Sequence, residues 1–247
     1  MRCENRRKSM KNIRIIALTL ILCLLANIPA LAEFYVPQAT PLPSVQTDAA
    51  VQDEVISIED LPWNLVLVNA DHEVPANWQC DLMELSNGRK IDRRMYESLQ
   101  AIFDACRADG LTPMVNSGYR SYDDQKAILM KRYERYRGQG MSVEDAQKET
   151  LKWVAYPGFS EHHTGLAVDI DSSNTEKCSN DRVWQWMYEH CAEYGFIWRY
   201  PGEKTDITGI SNEPWHFRYV GLEAAKYIMD KQICFEEYIY EKYGFEY

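Results

Sequence analysis

The chain has 247 residues, 46% of them hydrophobic and 26% charged, with a formal net charge of −10. That composition is globular and excludes long disorder, fibrous repeats and a multi-span membrane protein. Arg2, Arg6, Arg7, Lys8, Lys11 and Arg14 face Glu4 alone within residues 1–32, so the rest is more acidic than the total and is poorly suited to nucleic-acid phosphates.

The N-terminus reads as an address. A basic stretch ends at Arg14, an apolar run from Ile15 to Ile28 follows, Pro29 breaks it, and Ala30-Leu31-Ala32 has the small-x-small pattern of a signal-peptidase site. The run is shorter than the ~20 residues of a spanning helix. The expectation is a cleaved signal peptide over 1–32 and an exported, extracellular or wall-associated protein; the alternative is an uncleaved segment that anchors the chain. Residues 33–59, with Pro37, Pro41 and Pro43 and no periodicity, read as an extended linker, and 60–247 as one domain. Cleavage leaves Cys80, Cys106, Cys178, Cys191 and Cys234, an odd number without CxxC spacing. Cys106 and Cys191 fall on apolar helix faces, where buried, reduced cysteine is expected.

Within the domain, Met95, Leu99, Ile102, Phe103 and Cys106 recur at helical spacing and Gly110 stops them. Thr112–Val115 reads as a strand, Asp123–Tyr136 as a helix, and Ser142 with Asp145 as the cap of another. Leu166–Ile170 is a strand that contains an out-of-place Asp169. Val183, Met187, Cys191 and Tyr194 form a helical stripe ended by Gly195. Phe196–Arg199 and Phe217–Val220 read as strands, Leu222–Met229 as a helix. Short strands scattered among helices without a βαβ rhythm predict an α+β fold with an antiparallel sheet.

Some residues break local rules in ways that folding does not require. A carboxylate at Asp169 inside an apolar run is costly unless a cation compensates it. A histidine from His162-His163 and Asp169 can converge on one metal ion, with Gly165 permitting the turn between them. Glu213-Pro214-Trp215-His216 places a carboxylate three residues before an imidazole at a strand entrance, and Pro214 excludes a helical arrangement. Two histidines and a carboxylate with a fourth position open to water make a catalytic zinc set, and Glu213 is then the candidate proton acceptor. Ser117-Gly118-Tyr119-Arg120-Ser121 presents an arginine at a strand-to-helix turn, suited to a carboxylate or an oxyanion.

The three segments SGYRS, SEHHTGLAVD and TGISNEPWHFRYVG, in that order between Ser117 and Gly221, resemble the VanY-type zinc D-alanyl-D-alanine carboxypeptidases and their relatives, the D,D-dipeptidases and L,D-carboxypeptidases. The resemblance implies a small α+β fold whose central antiparallel sheet carries one zinc ion. It implies His162, Asp169 and His216 as ligands, Glu213 as the catalytic base, Arg120 as the catalytic arginine, and Ser160 and Gln125 as substrate-binding positions. His163 is left a neighbour of undefined role. The implied reaction is release of the terminal D-Ala from a peptidoglycan stem peptide or precursor; a monomer is the separate expectation. An L,D-carboxypeptidase, a D,D-dipeptidase or endopeptidase, or a non-catalytic zinc-containing wall-binding module are the alternatives on this scaffold.

Overall fold

The computed structural model describes residues 60–245. The expected signal segment and linker lie outside them. In chain order the elements are β1 (Leu82–Glu84), β2 (Lys90–Asp92), α1 (Tyr96–Ala108), β3 (Pro113–Ser117), α2 (Tyr122–Gly138), α3 (Val143–Leu151), β4 (Ala167–Ser172), α4 (Asn180–His190), β5 (Phe196–Trp198), α5 (Thr205–Thr208), β6 (His216–Tyr219), α6 (Leu222–Lys231) and α7 (Phe235–Tyr243). β1 and β2 form a separate antiparallel hairpin. The other four strands make one sheet in the order β3-β4-β6-β5, antiparallel throughout, which is the expected α+β architecture.

Alternation along the central strands sorts the sheet into two faces. Val168, Ile170 and Phe217 point into a core that also takes Leu99 and Ile102 of α1 and Val183 and Met187 of α4. Val168 and Phe217 are register partners, so their neighbours Asp169 and His216, also partners, share the opposite face. Arg218 lies two residues along that face, opposite Ala167 and Ile197. Ile197 belongs to a second core with Ala225 and Ile228 of α6 and Phe235 and Ile239 of α7. The polar face of the sheet thus has Asp169 and His216 at one level and a buried arginine below.

Local signals set the helix starts. Ser121 and Asp124 form a full capping box at the start of α2, each side chain accepting the other's backbone N–H. The Ser142 hydroxyl accepts the Asp145 N–H at 3.0 Å and caps α3 as expected. The five cysteines of the described residues are all free, and Cys106 and Cys191 are fully buried.

Candidate metal centre

The register brings Ser117 of β3 and His216 of β6 to either side of Asp169 on β4. His162 enters from a 3₁₀ turn, Glu161–Thr164, that ends at Gly165 in the left-handed region with φ of 73°. A side chain there would meet the Asp92 backbone nitrogen at 3.0 Å, so the turn needs glycine both for its torsion and for its space. The Gly118 carbonyl lies 2.7 Å from His162 Nδ1, which fixes the tautomer: Nδ1–H donates outward and the Nε2 lone pair faces Asp169.

The result is a cluster in which one donor atom from each of His162, Asp169 and His216 lies within 4.8 Å of the others. Asp169 Oδ1 is 3.4 Å from His162 Nε2 and 3.1 Å from His216 Nδ1. Tetrahedral zinc with bonds of about 2.0–2.2 Å sets its ligands about 3.3–3.6 Å apart, so the donor set fits that ion. The electrostatics fit too. Burial alone would lower His216, yet its hydrogen bonds to Asp169 and Glu161 and the charges of Asp169 and Glu213 raise it to about 9, so this corner attracts a proton or a cation. Burial and the charge of Arg120 lower His162 to about 4, leaving it neutral and ready to coordinate. Burial opposes the charge on Asp169, but the two imidazoles hold its carboxyl well below the usual range.

Glu213 stands beside the cluster with Oε2 3.8 Å from His216 Nδ1. Its backbone is fixed at both ends, the N–H donating to the Tyr200 carbonyl at 3.1 Å and the carbonyl accepting from Trp198 Nε1 at 2.9 Å. Burial pushes its carboxyl up to about 7 against the pull of His216, where a carboxylate can both take and return a proton at neutral pH.

Arg120 donates from Nε to Ser117 at 2.9 Å, from Nη1 to Gln125 at 3.2 Å and from Nη2 to Asp169 Oδ2 at 2.7 Å. Three of the five N–H donors of a guanidinium are thereby engaged, and one on each Nη remains for a ligand. Gln125 also donates to the Ala155 carbonyl at 2.8 Å, so its amide ties Arg120 to the opposite wall. Ser160, His162, Asp169, Glu213, His216, Arg120 and Gln125 all line one cavity of about 260 Å³, together with Arg132, Trp153 and Trp215. A depression of about 340 Å³ beside α1 holds none of these groups.

His163 turns away. Its Nδ1 lies 2.8 Å from the Arg120 carbonyl and its Nε2 accepts the Gly158 N–H at 3.0 Å, so both ring nitrogens are committed to backbone. It fastens the loop before the 3₁₀ turn to the Arg120 turn. Sequence reasoning missed a set of buried charges beneath the centre: Glu161, Arg199, Arg218 and Glu236, with side chains 0% exposed in the Glu161–Arg199, Arg199–Glu236 and Arg218–Glu161 pairs. The signal that singled out Asp169, a charge within an apolar strand run, is present at Arg199 and Arg218 as well.

A family model described as VanY, D-alanyl-D-alanine carboxypeptidase, matches residues 88–222. A D-alanyl-D-alanine carboxypeptidase of Enterococcus faecalis (strain ATCC 700802 / V583) is 46% identical over 181 residues, which are 73% of this chain and 67% of that one. Among solved structures, a variant of the vancomycin resistance D,D-pentapeptidase VanY from a VanB-type cassette, in complex with Zn(II), is 46% identical with a TM-score of 0.70 over 72% of this chain and 99% of that one. The LdcB LD-carboxypeptidase is 35% identical with a TM-score of 0.58, over 75% of this chain and 92% of that one. Fold, donor set and relatives agree, and the chain belongs to the VanY family of D-alanyl-D-alanine carboxypeptidases.

Proposed function

We propose that this chain is a zinc-dependent D,D-carboxypeptidase that removes the terminal D-Ala from peptidoglycan stem peptides or their precursors. The observation that carries the reading is the register pair Asp169–His216, joined by His162 from the preceding turn, with Glu213 poised beside it on the cavity side. The D,D preference is supported by the higher identity to the D,D-pentapeptidase, 46%, than to the LD-carboxypeptidase, 35%.

His162, Asp169 and His216 would hold the zinc. Zinc bound there supplies Lewis acidity, which makes water a nucleophile at neutral pH and polarises a peptide carbonyl. Glu213 takes the proton released as water adds to the scissile carbonyl and passes it to the leaving amine. The two free Nη hydrogens of Arg120 meet the charge that develops on the carbonyl oxygen, while Asp169, Ser117 and Gln125 keep the guanidinium from swinging. An exopeptidase must also recognise a free carboxylate. Arg132, whose guanidinium lies 5.4 Å over the Trp153 ring in the cavity wall, is the cation placed for that task. Ser160 lines the same wall as a hydrogen-bonding group, and the reaction needs no serine nucleophile.

The substrate lies outside the membrane, and export by the segment 1–32 and action at the wall as a monomer belong to the same proposal. No helix among the described residues is long and apolar enough to cross a membrane. The test is to incubate the chain with a stem pentapeptide ending in D-Ala-D-Ala and with the tetrapeptide left after its cleavage, and to weigh the products. Loss of one D-Ala from the pentapeptide supports the reading. Cleavage of the tetrapeptide alone makes the enzyme an L,D-carboxypeptidase, and zinc binding without cleavage of either makes it a binding module.

A further inference from the structure

We propose that Glu161 is the positioning residue for His216, holding that imidazole in the one orientation and tautomer that presents Nδ1 to the metal, and that Arg199 and Arg218 serve to hold Glu161. The inference rests on the reading of His162, Asp169 and His216 as ligands.

Glu161 precedes His162 on the 3₁₀ turn, but its side chain runs under the centre with no exposure. Its Oε2 lies 3.4 Å from His216 Nε2, the ring nitrogen turned away from Asp169. An imidazole whose Nε2–H is held by a carboxylate has only Nδ1 to offer a metal ion, which would replace the proton Nδ1 shares with Asp169 Oδ1. The other oxygen of Glu161 is clamped. Oε1 accepts from Arg199 Nε at 2.8 Å and from Arg218 Nη1 at 3.1 Å. Arg218 sits two residues from His216 on the same strand face, so the group that orients His216 is fixed by the strand that carries it. Arg199 in turn binds both oxygens of Glu236 on α7 at 2.8 and 2.5 Å, and Arg218 donates to the carbonyls of Asn64 and Val66 at 3.2 and 3.0 Å.

A buried ion cluster gains little stability over apolar packing. Burying two guanidinium groups with two carboxylates incurs desolvation that apolar packing of equal volume avoids. Glu161 Oε1 is paired with two guanidinium groups, Arg199 and Arg218, in contacts with no exposure, so the acceptor presented to His216 is a carboxylate held between two cations. His162 needs only the neutral Gly118 carbonyl behind it. An anionic partner behind His216 makes that ring the more basic donor and fixes it more firmly.

The test measures zinc affinity of the full chain, stripped and reloaded, by competition with a chromophoric chelator. Glu161→Asp keeps the charge that Arg199 and Arg218 require but draws the carboxylate back from His216; Glu161→Gln removes the charge. Glu236→Gln removes the same charge from the same cluster without touching His216. Both Glu161 variants should weaken zinc binding about 10–100-fold and alter the visible absorption of the cobalt(II) form, while Glu236→Gln keeps wild-type zinc affinity and spectrum. Wild-type affinity in Glu161→Asp, or an equal loss in Glu236→Gln, would overturn the proposal. Should Glu161→Gln not fold, Glu161→Asp carries the test. Failure of the wild-type chain to bind zinc would instead defeat the reading of the centre itself.

Discussion

Arg120 grips Asp169 by one carboxylate oxygen and leaves the other to the histidines: Nη2 donates to Oδ2 at 2.7 Å, while Oδ1 lies 3.4 Å from His162 Nε2 and 3.1 Å from His216 Nδ1. In the proposed reaction the carboxylate therefore joins the group that would meet the carbonyl oxygen to the groups that would hold the ion. That link explains why a charge on β4 is retained where strand packing alone would select an apolar residue.

Glu213 is separable from the metal set. Its Oε2 sits 3.8 Å from His216 Nδ1, outside the tight Asp169 contacts. Glu213→Ala should keep full zinc content by metal analysis and lower kcat by roughly 10²–10⁴-fold, the range for loss of a general base. A wild-type rate would remove the base assignment.

The two adjacent histidines should behave differently. His162→Ala should lose zinc and activity together. His163→Ala leaves the donor set intact but frees the Gly158 loop from the Arg120 carbonyl, so it should retain zinc and show a lower Tm with a weaker kcat. Loss of zinc in His163→Ala alone would exchange the two roles.

How far the sequence carries this account depends on which signal each residue leaves. Asp169, Glu213 and Arg120 are chemical outliers in their segments, and all three line one cavity. The strands and most helices follow from periodicity, with ends shifted by one or two residues. The β1–β2 hairpin is too short, at three residues per strand, to leave an alternation. α7 mixes Phe235, Tyr238 and Ile239 with a buried Glu236, and that carboxylate blurs its apolar face. The resemblance already implies His162 as the ligand, but the role of His163 is a matter of geometry: only the fold shows that its ring is spent on backbone. The Glu161 cluster left a trace only in the charges of Arg199 and Arg218 within apolar runs, and their pairing is hidden because Glu161, Arg199, Arg218 and Glu236 are far apart in the chain.

Arg132 should act on substrate binding rather than turnover. Arg132→Met should raise KM for a D-Ala-D-Ala peptide about 10–100-fold, the worth of a charge-assisted hydrogen bond, with kcat little changed. The same peptide with an amidated C-terminus should be a poor substrate for both proteins. Equal KM values for the free acid in wild type and variant would place the carboxylate elsewhere.

The buried thiols offer a check on the packing. Burial pushes Cys106, Cys191 and Cys234 up to about 12, so at pH 8 only about one in 10⁴ of each is thiolate, the reactive form. Iodoacetamide at pH 8 should leave these three unmodified in the native chain and label them once it is denatured, read by peptide mass spectrometry. Reactivity should rise with pH toward 12. Fast labelling at pH 8, or recovery of disulfide-linked peptides, would contradict the reduced, close-packed core.

The most direct measurement is a zinc titration of the metal-stripped chain, followed by release of D-Ala from a stem pentapeptide. We predict no turnover in the stripped protein, a linear rise with added zinc, and a plateau at one zinc per chain that His216→Ala abolishes. Full turnover in the stripped protein, or stoichiometric zinc binding with no D-Ala released, would contradict the account.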